Sequence, residues 1–254
     1  MSFTLFGKTI PFYGLFLYIG VLFACAVALL LCKRKHYPLW DVVGAGAYAM
    51  IGAMVGSKLL FLVVSWKQIL ALHLPLEAVI KGGFVFYGGV IGGFLGVVIY
   101  AKQFKRTLID YLDLFAVPLP LGHAFGRIGC FYGGCCYGRP YNGPWHHVYH
   151  TSFDLNTPLD TPLFPVQLIS AIGLFFLFIA LLIVFLRSKK IGTTFYAYVI
   201  AYPVLRFAIE FLRGDRERGL YFGLSIAQWV SLAVLLGLTV YFAVKKRSIS
   251  HSYD

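Results

Sequence analysis

Two segments of the chain set ionisable residues among apolar neighbours at spacings suited to binding an anion. In Tyr202-Pro203-Val204-Leu205-Arg206-Phe207-Ala208-Ile209-Glu210-Phe211-Leu212-Arg213, the i,i+4 spacing puts Arg206 and Glu210 on one helix face, with Arg213 a turn further on. Two guanidiniums around one carboxylate leave a positive excess that an anionic lipid head group would fill, while a self-neutralising structural pair is the plainer alternative. In the segment 122–140, glycines at 122, 126, 129, 133, 134 and 138 let the backbone approach a ligand, and Arg127 and Arg139 can fork onto phosphate oxygens. The same glycines also suit tight helix packing, with Arg127 reaching for an interface. Asp113, upstream of Arg127, is open to capping, to pairing with an arginine or to proton handling.

Other candidates carry plainer readings. Lys58 closes the small-residue run Gly52-Ala53-Met54-Val55-Gly56-Ser57, where a packing stripe and a snorkelling lysine are favoured. Tyr13 and Tyr87 each sit beside glycine in apolar surroundings, and taken singly each reads as an interfacial anchor. Cys130, Cys135 and Cys136 lack the paired C-x-x-C rhythm of a zinc site, so no metal and no cofactor are expected. Small buried fillers are the favoured reading of these cysteines. A disulfide facing an oxidising exterior is also open, although a vicinal Cys135–Cys136 bond would be strained.

The elements that must carry these residues are membrane helices. The chain of 254 residues is 59% hydrophobic and 13% charged, and its mean hydropathy is +0.79. Those values exclude a soluble domain and a disordered one. The net charge of +12 punctuates apolar spans instead of forming a basic face, so anionic membrane lipid, not nucleic acid, is the expected partner. Nearly charge-free stretches at about 10–32, 42–66, 82–101, 162–186, 194–212 and 220–244 are each long enough to cross a bilayer. The stretch 108–138 carries Asp110, Asp113, His123 and Arg127 among prolines and glycines, and reads as a seventh, broken, glycine-rich span whose irregular end lines a cavity. Basic clusters at Lys33-Arg34-Lys35, Lys102 to Arg106, Arg187 to Lys190 and Lys245-Lys246-Arg247 then share one side. By the positive-inside rule the N-terminus lies outside and the C-terminus inside. The first apolar stretch ends in Leu31-Cys32-Lys33-Arg34 without a small-residue cleavage site, so it stays as a helix. The expected fold is an all-α, polytopic membrane protein with seven transmembrane helices, one transmembrane domain over residues 1–254 and an extracytoplasmic loop at about 139–161.

A wider set of residues resembles a known family. Phe12-Tyr13-Gly14, Tyr87-Gly88-Gly89-x-x-Gly92-Gly93, Asp113-x-x-Ala116-x-Pro118, Gly126-Arg127-Ile128-Gly129 through Gly138-Arg139, Pro165-x-Gln167-Leu168, Arg206-Phe207-x-x-Glu210-Phe211-x-Arg213 and Ser225-x-x-Gln228 resemble the bacterial phosphatidylglycerol:prolipoprotein diacylglyceryl transferases in order and spacing. The resemblance implies transfer of the diacylglyceryl group of phosphatidylglycerol to the lipobox cysteine of a preprolipoprotein, with release of glycerol 1-phosphate, at the bacterial inner membrane. It further implies that Arg127 and Arg206 face the phosphate, Glu210 orients Arg206, Arg213 adds field and Asp113 is a polar site residue. Gly126 and Gly138 would shape the backbone, and Tyr13 matches the family's first-helix tyrosine. Two departures stand out. Tyr87 occupies the position of a histidine base, and the signature Gly-Arg-x-Gly-Asn-Phe-x-Asn-x-Glu becomes Gly126-Arg127-Ile128-Gly129-Cys130-Phe131-Tyr132-Gly133-Gly134-Cys135. The altered signature motivates one alternative, a paralogue using the same donor on another acceptor, and the broken helix with its central charges motivates another, a non-catalytic lipid-binding or transport protein.

Overall fold

A computed structural model describes residues 2–5, 8–71, 75–152, 154–214 and 220–250. A hairpin of β1 (Ser2–Leu5) and β2 (Lys8–Pro11) precedes α1 (Phe12–Arg34), α2 (Leu39–Ala71), α3 (Leu76–Lys81), α4 (Phe86–Gln103), α5 (Leu108–Ala116) and α6 (Pro118–Gly133). Then come β3 (His147–Val148), β4 (Pro162–Leu163), α7 (Val166–Arg187), α8 (Thr193–Glu210), β5 (Leu220–Tyr221), β6 (Leu224–Ser225) and α9 (Ile226–Ser250). Each strand pair is a short antiparallel ladder, so the fold is carried by helices.

Among the described residues, Phe12–Arg34, Leu39–Lys67, Val166–Arg187 and Ile226–Lys245 are long and apolar enough to cross a membrane, and α5 with α6 qualify together as one broken span. The break has a local cause. Pro118 and Pro120 open α6, where proline's missing N–H costs nothing at a helix start but would interrupt a continuing helix. The helix then stops at Gly133, and Gly134 takes the left-handed conformation at φ 76° that a C-cap requires. The broken stretch expected at 108–138 is thus two helices bent by 41°, with the glycines at 122, 126, 129 and 133 inside α6 and those at 134 and 138 beyond its end.

The chain forms two compact units, Ala28–Leu114 and Met1–Val27 with Phe115–Asp254. In the unit Ala28–Leu114, α2 packs along α4. A Cβ at Gly52 would strike the Gly92 carbonyl, one at Gly56 the Gly88 carbonyl, and one at Gly96 the Tyr48 carbonyl. The two backbones therefore touch, and only glycine permits that approach. Lys58 differs from the snorkelling expectation. Its ammonium donates to the carbonyls of Val79, Ile80 and Gly82 at the end of α3, and sits 4.9 Å and 5.1 Å from the ring centres of Phe61 and Phe84. A cation on orphan carbonyls offsets the partial negative charge of that helix end. Asp41 joins α4 and the turn beyond it, accepting from the Tyr100 hydroxyl at 2.9 Å and pairing with Arg106 at 2.8 Å. Asp113 is buried in α5, whereas Tyr87 opens α4 half-exposed with its ring edge against Phe86.

In the other unit, α6, α7, α8 and α9 pack in series. Ala124, Ala171 and Leu174 form a buried cluster with Ile128, Tyr202 and Leu205 around it, joining α6, α7 and α8. Helix α1 lies on α6: a Cβ at Gly20 would lie 2.7 Å from the Phe125 Cβ, and the rings of Phe23 and Phe125 stack at 5.3 Å. At the start of α9, the Ser225 N–H donates to the Gln228 side-chain carbonyl at 3.0 Å and the Gln228 N–H to the Ser225 hydroxyl at 3.3 Å. Ser225-x-x-Gln228 is thus a reciprocal capping box that fixes where α9 begins.

Candidate active site

Helices α6, α7 and α8 enclose a cleft lined by His123, Arg127, Ser170, Leu174, Tyr202, Leu205, Arg206 and Ile209. Its floor is the apolar cluster of Ala171 and Leu174, and its polar wall comes from α6 and α8. On α6, one helical turn brings His123 under Arg127, whose Nε–H donates to His123 Nε2 at 3.3 Å. That bond assigns the imidazole proton to Nδ1 and makes the ring a neutral acceptor that aims the guanidinium. The His123 ring also lies 5.7 Å from the Tyr202 ring of α8.

On α8, the sequence-predicted pair is formed. Arg206 meets Glu210 Oε2 at 2.7 Å, and Arg213 Nε approaches the same oxygen at 3.8 Å. All three side chains are largely withdrawn from solvent, so the pairing acts at low local dielectric and holds the geometry firmly. Three guanidiniums accompany one carboxylate, which leaves the cleft wall cationic and suited to a phosphate.

Arg213 is positioned by backbone as well as by charge. Past the end of α8 the chain runs antiparallel to Gly138-Arg139: the Arg139 N–H donates to the Leu212 carbonyl at 3.1 Å, and the Gly214 N–H to the Tyr137 carbonyl at 3.0 Å. A Cβ at Gly138 would strike the Phe164 carbonyl, and one at Gly214 the Gly138 carbonyl. Glycine is needed at 138 because three chain segments meet there. Gly126 is the reverse, since a Cβ on it would meet nothing within 4 Å. It leaves open space on α6 one residue before Arg127.

Tyr13 of α1 belongs to the same unit and covers Gly129 of α6, where a Cβ would lie 3.1 Å from the Tyr13 carbonyl and 3.4 Å from its ring. Arg139 is exposed. Tyr87 and Asp113 belong to the unit Ala28–Leu114. Arg127, Arg206, Glu210 and Arg213 are the predicted residues that the contacts of one unit gather.

Several residues take part that the sequence reading did not single out. Gln167, 1% exposed, donates from Nε2 to the Cys135 carbonyl at 2.9 Å and to the Tyr149 hydroxyl at 3.2 Å. Burial pushes the Tyr149 phenol well above its ordinary pKa, so it stays protonated. Thr157 donates to the Gly134 carbonyl at 2.9 Å and Ser152 to the Gly133 carbonyl at 3.4 Å, so the turn after α6 is tied down from the segment between α6 and α7 and from α7 itself. The signal available for His123 was its i,i+4 spacing to Arg127. Gln167 was marked only by its place in Pro165-x-Gln167-Leu168, with no role attached, and for Ser152 and Thr157 there was no signal, because they donate to backbone carbonyls far along the chain.

The chain was compared with known proteins. A family model described as prolipoprotein diacylglyceryl transferase matches residues 1–244. A protein of Clostridium tetani named phosphatidylglycerol–prolipoprotein diacylglyceryl transferase is 36% identical over 240 residues, covering 94% of this chain and 95% of that protein. One of Clostridium perfringens, named phosphatidylglycerol–prolipoprotein diacylglyceryl transferase 2, is 31% identical over 242 residues, covering 95% and 93%. One of Finegoldia magna bearing the first of these names is 29% identical over 252 residues, covering 98% and 97%.

Proposed function

The chain belongs to the prolipoprotein diacylglyceryl transferase family, and from that premise we propose that the cleft between α6, α7 and α8 is where its reaction occurs. The reaction moves the diacylglyceryl group of phosphatidylglycerol to a prolipoprotein and releases glycerol 1-phosphate. The acceptor atom is the lipobox cysteine sulfur, which attacks the glycerol carbon while the phosphate departs. The observation that carries this placement is that Arg127 and Arg206 line one cleft with an apolar floor, while Arg206 and Arg213 share the single carboxylate Glu210.

Arg127 and Arg206 hold the phosphate and stabilise the charge that grows on it as the carbon–oxygen bond breaks. Glu210 orients Arg206, and Arg213 supports the field. Gly126 leaves room for the donor's glycerol backbone, Gly138 keeps the Arg213 strand in place, and Tyr13 walls the α1 side. Arg139, at the exposed base of the loop, meets the lipid surface. Tyr87 and Asp113 are assigned to the reaction by the resemblance, Tyr87 as a hydrogen-bonding or lipid-binding group and Asp113 as a polar site residue. The protein spans the bacterial inner membrane seven times as one domain over residues 1–254, with α4 and α8 crossing in addition to the longer spans. Their 18 residues each correspond to about 27 Å at 1.5 Å per residue, close to the hydrocarbon thickness. The N-terminus and the segment 139–161 lie outside and the C-terminus inside.

The test uses purified protein in detergent with phosphatidylglycerol and a lipobox peptide carrying Cys or Ser. A Cys-dependent diacylglyceryl adduct, seen by mass spectrometry together with glycerol phosphate, is expected, and it should vanish in Arg127→Ala and Arg206→Ala. Folded, lipid-binding protein that makes no adduct would overturn the reading.

A further inference from the structure

Cys130, Cys135 and Cys136 are scattered in the sequence logic but gathered in the fold. Their three sulfurs lie within 4.8 Å of one another, and all three residues are partly buried. The gathering is built by named contacts. Cys130 lies on the last turns of α6, the left-handed Gly134 turns the chain back, and the Cys135 thiol points at the Cys130 carbonyl at 3.9 Å. Gln167 holds the Cys135 carbonyl, while Thr157 and Ser152 hold those of Gly134 and Gly133. Cys136 itself adopts φ 57°, a conformation that a non-glycine residue keeps only where its surroundings impose it.

We propose that Cys130, Cys135 and Cys136 bind a divalent ion of the zinc class as three thiolates, and that its fourth position receives the acceptor's cysteine sulfur. Zinc–sulfur bonds of about 2.3 Å at tetrahedral angles place sulfurs about 3.8 Å apart, so the cluster needs to contract by no more than about 1 Å. Three protein ligands with one open position is the pattern of a reactive zinc site, while a closed structural site uses four. The proposal rests on the transferase reading and supplies what that site lacks. Around the cleft, His123 already accepts from Arg127, and Glu210 is held by Arg206 and Arg213. Coordination deprotonates a thiol outright, with its proton passing to water. The bound sulfur then forms the carbon–sulfur bond to the glycerol carbon, the carbon–oxygen bond to phosphate breaks, and its electron pair leaves on glycerol 1-phosphate toward the arginines. The thioether product is a weaker ligand than a thiolate and vacates the fourth position.

The experiment is metal analysis and cobalt substitution of the full-length protein in detergent. About one zinc per chain is expected, lost in Cys130→Ser, Cys135→Ser and Cys136→Ser but kept in Cys25→Ser. The Co2+ form should show the visible bands of a tetrahedral thiolate site, and these should shift when a lipobox peptide with Cys is added but not with its Ser counterpart. Cobalt bands are read on the wild-type chain, so the result stands even if a cysteine variant misfolds. A chain that takes up neither zinc nor cobalt, or that joins two of the three thiols in a disulfide in their place, overturns the metal site. Cobalt bands indifferent to the Cys peptide overturn the acceptor's role as ligand. Metal-stripped protein that still forms the adduct at full rate defeats this inference while leaving the transferase reading intact. Zinc-loaded protein that forms none defeats the transferase reading.

Discussion

Glycine does opposite work between α2 and α4 and at position 126 of α6. Between α2 and α4, Gly52, Gly56, Gly88, Gly92 and Gly96 bring backbone against backbone and leave no space for a ligand. On α6, a Cβ at Gly126 would meet nothing within 4 Å, and His123 and Arg127 of the same helix line a cleft with Tyr202 and Arg206. The first arrangement makes a rigid, dry pair whose value is its shape. The second makes an electropositive hollow whose value is what can enter it. Small residues in a membrane chain therefore carry no single meaning, and what decides is whether the facing helix offers glycine or a long polar side chain.

The contrast is sharpest if charge is removed from the hollow. Arg127→Ala should lower kcat/KM about 10²- to 10³-fold, the usual cost of losing one preorganised donor to a developing anion, with the thermal midpoint little changed, and Arg206→Ala should match that loss but also lower the midpoint, because buried Glu210 loses its nearer partner. Unaltered turnover in both would move the reaction elsewhere. On the packed side, Gly92→Leu should cost about 1–3 kcal/mol of stability through overpacking, seen as a lowered melting temperature in detergent, because the Gly52 carbonyl occupies the required space. An unchanged midpoint would show that α2 and α4 are not in backbone contact. Glu210→Gln should lower turnover about tenfold, since the amide keeps the volume but releases Arg206 from its ion pair. Wild-type rates would reduce Glu210 to a neutral spacer. The smallest effect belongs to Gly126→Ala, whose methyl meets no neighbour and should raise stability by no more than about 1 kcal/mol. A loss well beyond that would show that the space is not open.

Much of this was legible in residue spacing, and the remainder had a common cause. The Arg206/Glu210/Arg213 face follows from helical periodicity, and both the ion pair and the third guanidinium are found as read. The break in the stretch 108–138 was legible from its prolines and glycines, but its division at Val117 and its early end at Gly133 depend on where capping succeeds. Lys58 was misread because its partners, the carbonyls closing α3, belong to a six-residue helix too short to leave a periodic signal. The cysteine cluster was invisible to motif spacing, since a left-handed turn at Gly134 folds C-x4-C-C back on itself. The missed features are a helix cap, a left-handed turn and a lysine on distant backbone carbonyls, none of which side-chain periodicity encodes.

The ladder at the base of the extramembrane segment has a consequence for engineering. Tyr141 and Phe164 donate to the Pro162 and Arg139 carbonyls at 2.9 Å and 3.0 Å, closing the excursion between them before it begins. Lengthening a loop so clamped costs only about 0.6 kcal/mol per doubling. An epitope tag or fluorophore inserted within residues 142–145, where Trp145 stands exposed, would therefore be felt at the tip and not at the arginines. The segment offers a handle by which the enzyme can be watched in membranes while it turns over.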